Sequence, residues 1–168
     1  MSYWALFRSL RGGLPVKYYD RSHNEELQPH RDIMEDKLIK HCIGEGIPII
    51  ATCRGMQYLN VLFGGKLLYH PTLESDRPRG VDHKVYLVEE NREIWVNNFH
   101  QDVVPADGLA PCFKPLAIDR ENNTIEAFGS DEMKILALQW HPERKFATAN
   151  ALEDTRCLVI NFIQRHIK

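Results

Sequence analysis

The 168-residue sequence has no long hydrophobic run, no excess of either charge and no clustered cysteines, and each lack removes a class of protein. The most apolar stretches, residues 47–51 and 158–160, are far too short to span a bilayer. The formal net charge of −2 gives no electrostatic reason to bind nucleic acid or an anionic membrane. The 4 cysteines (Cys42, Cys53, Cys112, Cys157) show no short paired spacing, which argues against both a disulfide scaffold and a cysteine-built zinc site. Residues 1–10 carry Arg8 and lack the long apolar stretch and small-residue cleavage site of a secretory leader, so a cytoplasmic location with reduced thiols is expected. Neither an internal repeat nor a low-complexity segment is present. The turn-rich stretches 20–28 and 72–80 read as surface loops rather than interdomain linkers, and the whole chain, 1–168, reads as a single domain.

What is present is an α/β pattern. Pro29 is a good first helical residue, and Met34, Leu38, Ile39, Cys42 and Ile43 recur at helical spacing until Gly44 and Gly46 end the segment. Residues 47–51 are apolar on both faces and rich in β-branching, as in a strand buried within a parallel sheet. A mostly apolar helix over 56–63 follows and is closed by Gly64-Gly65. Strand-like runs then occupy 84–88, 94–96, 116–119, 124–128 and 135–139. The final helix, 150–166, turns Leu158, Val159, Phe162 and Ile163 toward the body.

Cys53 stands where the buried strand turns into the helix. A corner there pushes a side chain into the cleft at the C-terminal ends of the strands. The helix N-terminus adds partial positive charge and N–H groups that favour a thiolate and can hold an oxyanion. The plainer reading is a buried structural cysteine, and that reading holds for Cys42 and Cys157. Near the other end, Trp140-His141-Pro142-Glu143 follows the 135–139 strand. An imidazole two residues before a carboxylate can supply a base and the group that orients it, although an isolated His-x-Glu is more often a solvated loop.

Three segments, Arg31-Asp32-Ile33-Met34-Glu35, Thr52-Cys53-Arg54-Gly55-Met56-Gln57 and Gly64-Gly65-Lys66-Leu67, resemble the γ-glutamyl hydrolase-like (peptidase C26 type) branch of class I glutamine amidotransferases. So do Val96-Asn97-Asn98-Phe99-His100, Thr124-Ile125-Glu126-Ala127 and Gln139-Trp140-His141-Pro142-Glu143, in the same order. The resemblance runs from about Arg11 to the C-terminus. It implies a three-layer, flavodoxin-like α/β fold with a mostly parallel sheet. It also implies that Cys53 attacks a γ-carbonyl, His141 moves the proton and Glu143 orients His141. Backbone N–H groups of Arg54 and Gly13 would hold the oxyanion. Gly12, Gln57, Asn98, Phe99 and His100 would bind the glutamyl group. Cys-Arg-Gly-x-Gln is similar to hydrolases of γ-glutamyl-GABA, folate polyglutamates and γ-glutamyl nucleotide amidates. The segments 73–80 and 82–93 are expected to shape the leaving-group pocket.

The expected reaction is hydrolysis of a γ-glutamyl amide of a small molecule through a cysteine thioester, releasing glutamate. A glutaminase subunit that delivers ammonia to a partner synthetase, and an inactive truncated interaction module, are the alternatives. Thiolate acyl transfer calls for no metal and no organic cofactor. A small-molecule substrate is the expected partner, with no nucleic acid and no membrane.

The chain departs from the family pattern at several places. Ala51 stands where the family usually has Gly, so strain at the corner with some loss of rate is expected. Asn98 replaces a usual Ser, and Leu14-Pro15 replaces an acidic continuation. Residues 1–10 are too few for the βαβ unit that precedes the Gly-Gly loop elsewhere. The chain is therefore expected to lack the first βαβ elements and strands that flank the nucleophile strand. A fragment or alternative start of a longer enzyme would explain this, as would a second copy or a partner covering the open sheet edge.

Overall fold

A computed structural model describes residues 5–7, 29–69, 80–144 and 148–166. The Gly12-Gly13 pair, Leu14-Pro15, the loop at 20–28 and most of 72–80 lie outside the described residues.

Helix α1 runs Pro29–Gly44, with Asp32 in its first turn and His41 in its last, each on the side the helix dipole favours. Its buried stripe is Asp32, Glu35, Ile39 and Cys42, while Ile33, Met34 and Leu38 are exposed. The helix is thus rotated away from part of its own apolar spacing, because two carboxylates on its inner face are ion-paired to Arg54. Gly46, at φ 64°, makes the left-handed turn that releases the chain from the helix.

Strand β2 (Ile49–Thr52) follows, fully buried, and leads into helix α2 (Arg54–Leu62). Residues 54–61 of α2 are all buried, matching the expectation of a core helix. Alternation on β2 and on β9 (Ile135–Leu138) divides the interior in two. Ile49, Ala51, Ile135 and Ala137 join one cluster with α1 and α2. Ile50, Leu136, Leu138 and Trp140 join a second with Phe162, against which Leu158, Val159 and Ile163 of the final helix α3 (Ala149–His166) pack. Helices therefore cover both faces of the sheet, the three-layer α/β arrangement read from the sequence.

The sheet path is β1-β2-β9-β8-β7-β4-β5, where β1 is Ala5–Phe7, β4 His83–Leu87, β5 Arg92–Val96, β7 Lys114–Asp119 and β8 Thr124–Ser130. A branch adds β6 (Asp102–Pro105) beside β8 and β3 (Leu68–Tyr69) beside β6. Two differences from the sequence reading concern this sheet. The expected sheet is mostly parallel; among the described residues β1, β2 and β9 are parallel and every other pairing is antiparallel. The cause is local: tight turns join β4 to β5, β7 to β8 and β8 to β9, and short connections allow only antiparallel neighbours. The nucleophile strand was also expected to lack flanking strands, yet β2 pairs with β1 on one side and β9 on the other. No βαβ unit precedes α1 among the described residues, where β1 alone stands.

Ala51 is a regular strand residue, in register with Phe7 and Ala137, and its methyl is buried in the core. The positive φ falls on Cys53, so the strain expected at Ala51 is displaced two residues along. No helix of the described residues is long and apolar enough to cross a membrane.

Behind α2, Asn60 ties three segments together. Its Nδ2 donates to the carbonyls of Lys66 (2.9 Å) and Gly108 (3.0 Å), and its Oδ1 accepts from Ala110 N–H (2.8 Å), with Asn60 itself fully buried. A Cβ on Gly65 would lie 2.2 Å from Asn60 Oδ1. Asn60→Ala, which orphans these groups, is expected to destabilise the fold by about 2–4 kcal/mol in urea melts. Gly65→Ala is expected to cost about 2 kcal/mol or more, because it displaces the same amide.

Candidate active site

Cys53 caps α2 with φ 49° and ψ −111°, a conformation outside the usual space of a side-chain-bearing residue. Its backbone N–H donates to Leu138 O of β9 at 2.7 Å, extending the parallel ladder one rung past Thr52, which is in register with Leu138. The corner is therefore held by the neighbouring strand, and such strain persists where surroundings over-determine it. Cys53 makes no side-chain cap to its own helix. The N–H groups of the first turn, Arg54 included, have no intrahelical acceptor. None of the 4 cysteines is in a disulfide, and Cys157, expected to be a buried structural cysteine, is exposed on the outer face of α3.

Three residues beyond Leu138 stands His141, 1% exposed. Its Nδ1 lies 2.8 Å from Glu143 Oε1. Cys53 and the His141–Glu143 pair thus follow adjacent parallel strands at the same end of the sheet. His141 is fixed further by a residue that the sequence reading quoted within a motif but gave no role. Asn97 donates from Nδ2 to His141 O and accepts from His141 N–H, both at 2.9 Å, and is itself fully buried. A side-chain amide mimicking a strand rung leaves no pattern in one sequence. The ring of Phe99 meets the His141 ring edge-on at 5.6 Å, and the Arg144 guanidinium lies 4.2 Å over the other aromatic.

The Arg54 side chain is committed elsewhere. It is buried, paired to Asp32 and Glu35 of α1, and 5.8 Å over the Tyr58 ring, whose hydroxyl donates to Asp32 O at 2.9 Å. Arg54 thus offers the site its backbone N–H, while its guanidinium braces the corner against α1. Gln57 is also buried, with Nε2 donating to Asp102 O (2.7 Å) and to Gln139 Oε1 (3.3 Å). These bonds give Gln57 a part in holding β6 near the end of β9. Asn98 is buried; its carbonyl accepts from Gly80 N–H at 2.6 Å, and its Oδ1 lies 3.5 Å from His100 N. Burial pushes the His100 imidazole down to about 4, against the pull of Glu126, whose Oε2 is 3.8 Å away. Gly12 and Gly13, expected in the oxyanion loop, lie outside the described residues.

The order of strands, the three layers and the cysteine corner define the class I glutamine amidotransferase fold. A glutamine amidotransferase from Thermotoga maritima shares it, with a TM-score of 0.55 and 16% identity over 83% of this chain and 58% of that one. The chain belongs to the peptidase C26 family, whose sequence profile matches residues 14–143. It is 32% identical over 160 residues to the putative glutamine amidotransferase-like protein YvdE of Lactococcus lactis, covering 83% of this chain and 66% of that protein. It is 28% identical over 136 residues to the gamma-glutamyl-CDP-amidate hydrolase of Campylobacter jejuni, covering 81% of this chain and 61% of the other. The chain spans about two thirds or less of the length of these two relatives.

Proposed function

We propose that the protein hydrolyses the γ-glutamyl amide bond of a small molecule, with Cys53 as nucleophile, His141 as general base and acid, and Glu143 orienting His141. The observation that carries this reading is the shared end of the sheet. The Cys53 N–H is bonded to the strand that delivers His141, and His141 Nδ1 is engaged by Glu143. That engagement leaves Nε2 to take the thiol proton. The thiolate adds to the γ-carbonyl, and the oxyanion is met by the Arg54 N–H at the start of α2. Collapse forms a glutamyl thioester and expels the amine, protonated by His141. Water deprotonated by His141 then cleaves the thioester to glutamate and restores the thiol.

A substrate panel tests the reading. γ-Glutamyl amines, γ-glutamyl-GABA and a γ-glutamyl nucleotide amidate are offered beside free glutamine, and released glutamate is measured. Turnover of one of the amides at least about tenfold faster than glutamine is expected. Glutamine as the best substrate would favour an ammonia-delivering subunit instead. The similarity to a γ-glutamyl-CDP-amidate hydrolase makes the nucleotide amidate the first compound to try.

Asn97 is a positioning residue under this reading. Asn97→Ala is expected to lower kcat about 10–100-fold while KM changes less than threefold, because only the placement of the base is loosened. A pure stability effect would lower the active fraction and leave the pH profile of the remaining activity in place; displacement of His141 would shift it.

A further inference from the structure

A second set of titratable side chains converges beside the loop that bears Asn97, Phe99 and His100. His83 opens β4, Asp119 closes β7 and Glu126 lies within β8, and the β7–β8 register sets Asp119 opposite Thr124. One ring nitrogen of His83 and one carboxylate oxygen each of Asp119 and Glu126 all lie within 4.8 Å of one another. Glu126 Oε2 is 3.7 Å from His83 Nε2 and 3.8 Å from His100 Nε2. All four side chains are buried.

Hydrogen bonding does not account for this grouping. Neither ring nitrogen of His83 has a hydrogen-bond partner, and Glu126 Oε2 has none. The 3.7 and 3.8 Å separations exceed hydrogen-bond length. A carboxylate and imidazoles taken out of water without sharing protons are costly, so such groups are paired or hold a metal. Asp119 is aimed by its own turn: Oδ1 accepts from Glu121 N–H (2.9 Å) and Asn122 N–H (3.3 Å), and Oδ2 from Asn122 Nδ2 (2.8 Å). Thr124 Oγ1, 3.4 Å from Glu126 Oε1, steadies the second carboxylate. Outer hydrogen bonds of this kind fix the orientation of metal-binding carboxylates.

We propose that His83, Asp119 and Glu126 form a binding site for a divalent first-row transition ion, with zinc as the fitting metal and His100, whose Nε2 lies 3.8 Å from Glu126 Oε2, as the fourth ligand drawn in on binding. Ligand atoms around tetrahedral zinc, at bonds of about 2.0–2.1 Å, lie about 3.3 Å apart, so the Glu126–imidazole distances need close by only a few tenths of an ångström, and the others, all within 4.8 Å in the His83–Asp119–Glu126 set, by side-chain rotation. Two imidazoles with two carboxylates suit zinc and its neighbours, whereas calcium and magnesium take oxygen ligands. The ion joins three strands to the loop whose Asn97 and Phe99 hold His141, so it acts as a clamp on that loop and takes no part in the thiol chemistry. The inference rests on the cluster alone and is independent of the γ-glutamyl reading.

The test uses the full chain carrying Cys53→Ala, which removes the thiol that the proposed mechanism pairs with an imidazole. After chelator treatment and dialysis, Co2+ is expected to bind one per chain with visible ligand-field bands and no thiolate charge-transfer band. Zinc at about a hundredfold excess over Kd is expected to raise Tm by roughly 5–10 °C. Glu126→Gln should lose both signals. His83→Cys, in which the metal itself reports folding, should gain the thiolate-to-cobalt band. Failure of the Cys53→Ala chain to bind either ion, bands that persist in Glu126→Gln, or a His83→Cys chain that binds cobalt without the new band would each overturn the proposal.

Discussion

Cys53→Ala is expected to lower kcat for glutamate release by about 10⁴-fold or more, while Tm stays within about 2 °C of the parent. The size of the first effect follows from covalent catalysis: without sulfur there is no thioester, and the remaining N–H groups can only polarise the carbonyl. The small second effect follows from geometry, since alanine meets the same φ of 49° as cysteine. Cys53→Gly separates the two contributions further. It removes the nucleophile as well, but glycine adopts that φ without strain and should stabilise the chain by about 1 kcal/mol. Iodoacetamide gives an independent check by mass spectrometry. Burial pushes the Cys42 and Cys112 thiols above their ordinary range, so neither should compete with Cys53, whereas the exposed Cys157 gives a second alkylated peptide to be told apart by mass. Full turnover in Cys53→Ala would end the proposed mechanism.

Arg54→Ala is expected to destabilise the fold by about 3–5 kcal/mol in denaturant melts, the largest single-residue loss expected here. The guanidinium is 2% exposed at the residue level and bridges two carboxylates that are themselves buried, so its removal leaves both charges stranded. Arg54→Lys should recover only part of the loss, since one ammonium cannot engage two carboxylates in the manner of a planar fork. The triple replacement of Arg54, Asp32 and Glu35 by apolar residues of similar volume is expected to regain most of the stability, because it removes the buried charge altogether. A loss below about 1 kcal/mol for Arg54→Ala would show that the three groups are hydrated rather than sealed in the core.

The sequence made the framework legible where period and punctuation agree. Pro29 and Gly44 mark both ends of α1, the apolar run before Cys53 marks β2, and Ile135 to Leu138 marks β9. What escaped was set by distant contacts. Strands β3 and β6 are too short to show alternation, and β6 ends in Pro105, which reads as a strand breaker. The stretch from Lys114 to Asp119 carries Pro115 at a register shift against β8, which hid its first two residues. The buried face of α1 was not readable from its apolar residues, because Asp32 and Glu35 are inward only by virtue of Arg54, on another helix. At the candidate site, Cys53, His141 and Glu143 are legible by their places after strands. The two-bond clamp from Asn97 to the His141 backbone did not, since either amide could be an ordinary loop residue until the loop is folded.

The rung from the Cys53 N–H to the carbonyl of Leu138 also fixes a sequence of events in the life of the chain. During synthesis the thiol leaves the ribosome with the antiparallel strands still to be made, and the strand that completes its corner is the last of the sheet among the described residues. Local hairpins such as β4–β5 can close early, but the parallel β2–β9 pairing must wait for that distant segment. Under the proposed mechanism a nascent Cys53 therefore has no base, and its reactivity switches on only once β9 is made and paired.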